Sequence, residues 1–146
     1  MSWENQELIQ PSSRGFIYLI INTTNNKLYV GKKKLLSEKR VAVEGRVNKK
    51  KVTTPSNWEK YYGSSKELLE DIAKLGKDKF RRIILGAYSE LHTINYGEAE
   101  IQFHMRVLDT MNSYQWYNKN ITIKAMRPPA DRSYQVRLMA ILESLK

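Results

Sequence analysis

The chain has 146 residues and a mass of 17.1 kDa, which suits one domain of ordinary size and leaves no room for a second. It has no cysteine and only two histidines, His92 and His104, which excludes disulfide scaffolds, thiolate zinc sites, iron–sulfur clusters and cysteine nucleophiles and all but excludes a histidine-built zinc site. The longest apolar run, Phe16 to Ile21, is far below the ~20 residues of a membrane span. The first ten residues carry Glu4 and Glu7 with no lysine or arginine, the wrong charge for a signal or transit peptide. A soluble, cytoplasmic protein is expected.

The formal charge of +10 and pI near 9.7 point to a polyanionic partner. The excess is localised. Residues 32–51 hold nine basic and two acidic side chains, whereas residues 52–118 hold eight and nine. Such a basic segment beside a neutral body suggests a strip for phosphates, formed by Lys32, Lys34, Lys39, Arg46, Lys49, Lys50 and Lys51. A solvated lysine-rich loop without a partner is the plainer reading.

In chain order, residues 1–14 are polar and read as an N-terminal arm. Two β-branched and aromatic runs follow, 16–21 and 27–31, with turn material between them. If Asn25-Asn26 is a two-residue hairpin turn, Ile20 faces Gly31, Asn22 faces Tyr29 and Tyr18 faces Lys33. Opposed residues share a side of the sheet, so Phe16, Tyr18, Ile20, Tyr29, Gly31 and Lys33 lie together. Two phenols and an amine around a position without a side chain suggest a floor for a phosphate. The segment 32–51 has no convincing periodicity.

After Gly63, Ser64-Ser65-Lys66-Glu67 matches a capping box, with Ser64 as cap and Glu67 returning the bond. Leu68, Leu69, Ile72 and Leu75 continue it as an amphipathic helix that stops at Gly76. A third strand is expected over 80–85 and a second helix over about 96–111. On that helix Ile94, Ile101, Met105 and Leu108 form a stripe; Glu98 lies about 50° from its centre and Glu100 about 110°. Glu98 should lean toward the sheet and Glu100 toward solvent. Pro128-Pro129 precedes a last helix over about 132–145 with Leu138, Met139, Leu142 and Leu145 on one side.

Gly15-Phe16-Ile17-Tyr18, ten further residues, and Tyr29-Val30-Gly31 resemble the signature of the GIY-YIG endonuclease superfamily. The later blocks 57–65, 75–80, 96–103 and Tyr117-Asn118 are similar to a subgroup of small phage-encoded, homing-endonuclease-like members, over residues 15–127. The resemblance implies an α/β fold of the α+β type, with a small three-stranded antiparallel sheet flanked by helices. It also implies a Mg²⁺-dependent phosphodiesterase, with Mn²⁺ as a substitute, acting on DNA, double-stranded by expectation, and working in a host cytoplasm if phage-encoded.

Carried onto this chain, the resemblance makes Tyr18 and Tyr29 the motif tyrosines, with Tyr18 as general base, Glu98 as metal ligand and Asn118 as a supporting hydrogen-bonder. Arg40, nine residues past Gly31, takes the place of an arginine on the following helix that offsets transition-state charge. A phenol with a pKa near ~10 needs adjacent cations to act as a base at neutral pH. Lys33, opposite Tyr18 in the expected register, is the candidate. Trp58 and Tyr61 have two readings, stacking on bases or core packing. The alternative function is a non-catalytic nucleic-acid-binding module on the same basic strip. The leucine stripe of 132–145 either docks on its own domain or pairs with a second copy in a homodimer, with Arg132, Arg137 and Lys146 along the interface.

Overall fold

A computed structural model describes residues 2–123 and 127–146. Strands β1 (Gly15–Asn22), β2 (Lys27–Lys34), β3 (Leu36–Val41) and β4 (Lys50–Pro55) come first. Helix α1 (Lys66–Leu75), strand β5 (Phe80–Tyr88), helix α2 (Leu91–His104) and helix α3 (Ser133–Ser144) follow. The sheet is the expected antiparallel three-stranded one, in the order β2-β1-β5. Every residue of the central strand β1 is buried, because both faces are covered. Ile17, Leu19, Ile21, Leu28 and Val30 pack with α2 and α3. Phe16, Tyr18 and Ile20 pack on the other face with Trp3, Tyr62 and the α1 residues Leu68 and Ile72.

The hairpin register differs from the expected one. Tyr18 pairs with Gly31, Phe16 with Lys33 and Ile20 with Tyr29. The loop has four residues, not two, because the Asn22 side chain builds it. Its Oδ1 accepts from the Thr24 amide at 3.0 Å and hydroxyl at 2.6 Å, and its backbone carbonyl accepts from the Asn26 amide at 2.7 Å. Of the two asparagines only Asn26 takes positive φ, at 59°, whereas the short turn with Asn-Gly preference needs it at both central positions. The slip is two residues, so each side chain keeps its face. A bulge in β5 between the partners of Ile17 and Tyr18 adds local twist beside the buried phenol.

The N-terminal residues are not an arm. Trp3 is buried against Phe16 and Tyr18. The Glu4 amide donates to the Arg82 carbonyl at 2.8 Å, and the Ile84 amide donates to the Glu4 carbonyl at 2.9 Å, so this segment lines the outer edge of β5. The cap of α1 is Ser65, whose Oγ accepts from the Leu68 amide at 3.3 Å, one residue later than expected. Glu67, freed from capping, pairs with Lys27 and Lys119.

Segment 32–51 extends β2 and then forms a two-stranded antiparallel ribbon, β3 with β4. Nearly all its side chains are exposed, so no alternation of burial marks these strands. Helix α3 docks on its own domain. Tyr134, Leu138 and Leu142 are buried in the core with α2 and β5, and the Arg137 guanidinium donates to the Leu85 carbonyl at 2.9 Å. Of the two readings of the 132–145 stripe, docking on its own domain and pairing in a homodimer, the first describes Leu138 and Leu142, which are covered within the chain.

Candidate active site

The site forms along the outer edge of β2, where α1 arrives from one face of the sheet and α2 from the other. A cavity of about 820 Å³ opens there, lined among others by Tyr29, Ser64, Glu67, Glu98, Gln102 and Asn118. Residues 115–118 run beside β2. Leu28 exchanges backbone bonds with Gln115 and Tyr117, and the Asn118 side chain then takes over as a strand substitute. Its Oδ1 accepts from the Val30 amide at 3.1 Å and its Nδ2 donates to the Val30 carbonyl at 2.8 Å. Asn118 thereby fixes the backbone between Tyr29 and Gly31.

Tyr18 is outside the lining of this cavity, next to Tyr29, and is 1% exposed. Its phenol crosses Gly31 so closely that a Cβ there would stand 2.4 Å from the Tyr18 Oη and 3.0 Å from a Tyr29 ring carbon. The empty position in the motif is thus the slot that admits the first tyrosine beside the second. Tyr29 is half-buried, its hydroxyl 3.1 Å from the Ser64 Oγ. Burial raises the Tyr18 pKa well above the ordinary phenol value, and the nearby Tyr29, Tyr61 and Glu98 add to it. Burial raises Tyr29 as well, against the lowering bond from Ser64.

The cation expected beside Tyr18 is elsewhere. Lys33 stands opposite Phe16 and holds its Nζ over the Tyr61 ring, 4.2 Å from the centroid. Tyr61 in turn packs edge-on against Tyr18. The loop carrying Tyr61 is pinned by Arg82, whose Nη1 donates to the Glu59 and Tyr61 carbonyls at 3.1 and 2.8 Å. Trp58 packs against Phe16 and belongs to the core edge.

Glu98 is buried on the sheet side of α2, as the helical angle predicted. Gly97 allows the close approach: a Cβ there would lie 2.5 Å from the Ile17 Cδ1, so α2 rests tightly on β1. The Lys32 Nζ stands 4.0 Å from the Glu98 Oε1 and is bonded to Asn95. Desolvation by burial raises the Glu98 pKa to about 7, against the smaller opposing effect of Lys32. Glu100 does not face solvent. It accepts from the Tyr134 hydroxyl at 2.6 Å and pairs with Arg132, tying α2 to α3.

The Glu98 shift sets a pH dependence. Between about 4.5 and about 7, the folded chain holds a proton on Glu98 that the unfolded chain has released. Stability therefore falls as pH rises through that window. Melting temperatures in EDTA at about pH 5 and about pH 8 should show a fall in the wild type that Glu98→Gln lacks. An equal fall in the variant would contradict the buried carboxyl.

Tyr29, Glu98 and Asn118 are brought together in one cavity lining, with Tyr18 buried against Tyr29 and Lys32 beside Glu98. Arg40 is not. It lies on β3 opposite Lys51, exposed and on a ribbon rather than a helix. Lys39, Arg46, Lys49 and Lys50 are exposed on the same ribbon or its tip, and Lys51 pairs with Glu38 at 3.2 Å. Gln102 and Ser64 were not singled out as site residues, and Tyr61 was singled out only for stacking on bases or core packing. Gln102 follows Glu98 by one helical turn on the same face, which was signal enough; its Nε2 donates to the Val30 carbonyl at 3.4 Å.

Among the described residues, no three His, Cys, Asp or Glu side chains cluster as a metal site. The donors at hand are the Glu98 carboxylate and the amide of Gln102, whose Oε1 is buried without a hydrogen-bond partner. That set suits a hard cation that keeps most of its waters, as Mg²⁺ does. It does not suit a soft metal.

A family model described as "Putative endonuclease segE, GIY-YIG domain" matches residues 3–121. The chain belongs to the GIY-YIG endonuclease family. No curated protein and no solved structure matched it.

Proposed function

We propose that the protein is a Mg²⁺-dependent DNA endonuclease that hydrolyses phosphodiester bonds in the cavity at the edge of β2. The observation that carries this reading is the buried Glu98 beside the two motif phenols. Binding phosphates gains nothing from a carboxylate, whereas a metal-assisted hydrolysis needs one. Glu98, with Gln102 beside it, would hold the Mg²⁺ or Mn²⁺, which when bound supplies Lewis-acid polarisation of the phosphoryl oxygen.

The chain's own residues do the rest. Tyr29, open to the cavity and bonded to Ser64, orients the scissile phosphate or the attacking water. Tyr18 is assigned as general base: its phenolate Oη would take the water proton and return to the neutral phenol. Burial holds the phenol form at rest, so the phenolic proton must first pass to solvent, a loss made easier when the Glu98 charge is neutralised, because that charge is one of the contributions holding it. Asn118 keeps both phenols in register through Val30. Arg40 lies outside the cavity, so its fork is assigned to the DNA backbone together with Lys39, Arg46, Lys49, Lys50 and Lys51.

Supercoiled plasmid incubated with the purified protein tests this directly. Conversion to nicked or linear DNA with Mg²⁺, and none with EDTA, is expected. Unchanged plasmid that is nevertheless bound would favour the non-catalytic binding module. The ribbon also makes binding salt-dependent. If about five of its cations contact phosphates, log K should fall with log salt at a slope of about −4 to −5. Replacing Lys49, Lys50 and Lys51 by alanine should flatten it with little change in sequence preference. A slope near zero in the wild type would remove the ribbon from the docking surface.

A further inference from the structure

A second cavity, of about 750 Å³, lies next to the first on the other side of Lys32. Its walls are the end of β2, with Lys32, Lys33 and Lys34, and the first turns of α2, with His92 and Asn95; Tyr61 lies at its base. The two cavities differ in charge. The first is lined by three glutamates, Glu67, Glu70 and Glu98, against two lysines, Lys66 and Lys119; the second has three lysines and a histidine and no carboxylate in its lining.

Asn95 and Glu98 hold the Lys32 ammonium, and the Tyr61 ring carries that of Lys33. At Lys34 it is the backbone that is fixed, its carbonyl accepting from the Ser56 hydroxyl at 2.6 Å, while the exposed ammonium lies in the field of Glu38. Among the described residues, Lys33 and Lys34 take part in no ion pair. Glu90 stands 2.8 Å from the His92 Nε2. Burial lowers the Lys33 pKa, as befits an ammonium without a counter-charge. Three ammonium groups, two of them held, at one cavity whose lining carries no carboxylate form a site for an anion.

We propose that this cavity seats a backbone phosphate of the cleaved strand next to the scissile one, with Lys33 and Lys34 as its cations and Lys32 standing between the two phosphates. The inference rests on the nuclease reading and gives that site a polarity. The strand enters over the lysines and reaches Glu98 from the side away from Glu70, whose charge repels it. Tyr61 then links the two halves, because it supports Lys33 on one side and touches Tyr18 on the other.

The test is a duplex that the protein binds, rebuilt with single uncharged methylphosphonates stepped along each strand, with affinity measured in EDTA. At one position the substitution should weaken wild-type binding about tenfold, the worth of one charge-assisted contact. The Lys33→Ala/Lys34→Ala variant should be indifferent there, within about twofold, and Lys34→Gln, a milder change, should respond in between. A ribbon variant, Lys49→Ala/Lys50→Ala, should keep the full tenfold response. The proposal is overturned if the cavity variants respond like the wild type at every position, or if every sensitive phosphate couples to the ribbon alone. Plasmid cutting without such coupling would sink the subsite and leave the nuclease reading standing. Coupling without cutting would do the reverse. No DNA binding at all would remove both.

Discussion

Gly31→Ala is expected to destabilise the fold and to remove most of the cleavage activity, although it adds a single methyl group. That methyl would stand 2.4 Å from the Tyr18 Oη, 2.6 Å from its Cζ and 3.0 Å from the Tyr29 Cε1. These are the far ends of two rings that cannot swing away, because Tyr18 is enclosed by Trp3, Phe16, Tyr29 and Tyr61. Overpacking of this kind costs about 1–3 kcal/mol, read as a lower denaturation midpoint. A displacement of about 1 Å in a reacting group can cost about a hundredfold in rate, so activity should fall further than stability. Both are measured on the same preparation, at a temperature where the variant is still folded. Cleavage within about twofold of the wild type would mean that the Tyr18 phenol does not need its slot.

The sequence revealed the parts of the fold where burial has a period. The runs 16–21, 27–31 and 80–85 became the three strands of the sheet, and Leu68 and Ile72 marked the buried side of α1. The ribbon β3–β4 was hidden because neither of its faces is buried, so nothing in 32–51 alternates. The hairpin loop was misjudged because a side chain, Asn22, competes with the backbone for the turn, and propensity at Asn25-Asn26 does not contain that bond. Trp3 could not be placed from a lone aromatic in a polar stretch. Helix α2 begins at Leu91 rather than about 96, with no side-chain cap at Glu90 to announce it. It ends at His104, before Arg106 turns to a φ of 54° and Asn112 takes up the Met105 and Arg106 carbonyls.

The site was legible in its motif residues and illegible in its neighbours. Tyr18, Tyr29 and Asn118 follow from the family blocks, and the helical angle independently put Glu98 on the sheet side. The same angle misjudged Glu100, since the wheel of α2 alone cannot know that α3 covers its other side with Tyr134 and Arg132. Lys33 was misplaced by the two-residue slip, which moved it from Tyr18 to Phe16 while leaving it on the same face. Counting from Gly31 located Arg40, yet the count assumed a helix where this chain builds a ribbon.

The most direct test of the account separates these two glutamates in one plasmid assay. Glu98→Ala is expected to lower Mg²⁺-dependent cleavage by about 10²–10³-fold or more, the scale of losing one electrostatic contributor to a transition state. DNA affinity should stay equal or rise, because a buried negative charge beside the phosphates is gone and Lys32 is released from it. Glu100→Ala removes the Tyr134 bond and the Arg132 pair, so it should lower the melting temperature and keep near wild-type cleavage per folded molecule. The account predicts intact plasmid with Glu98→Ala and cut plasmid with Glu100→Ala. The opposite pattern, or cutting by Glu98→Ala at the wild-type rate, would contradict it.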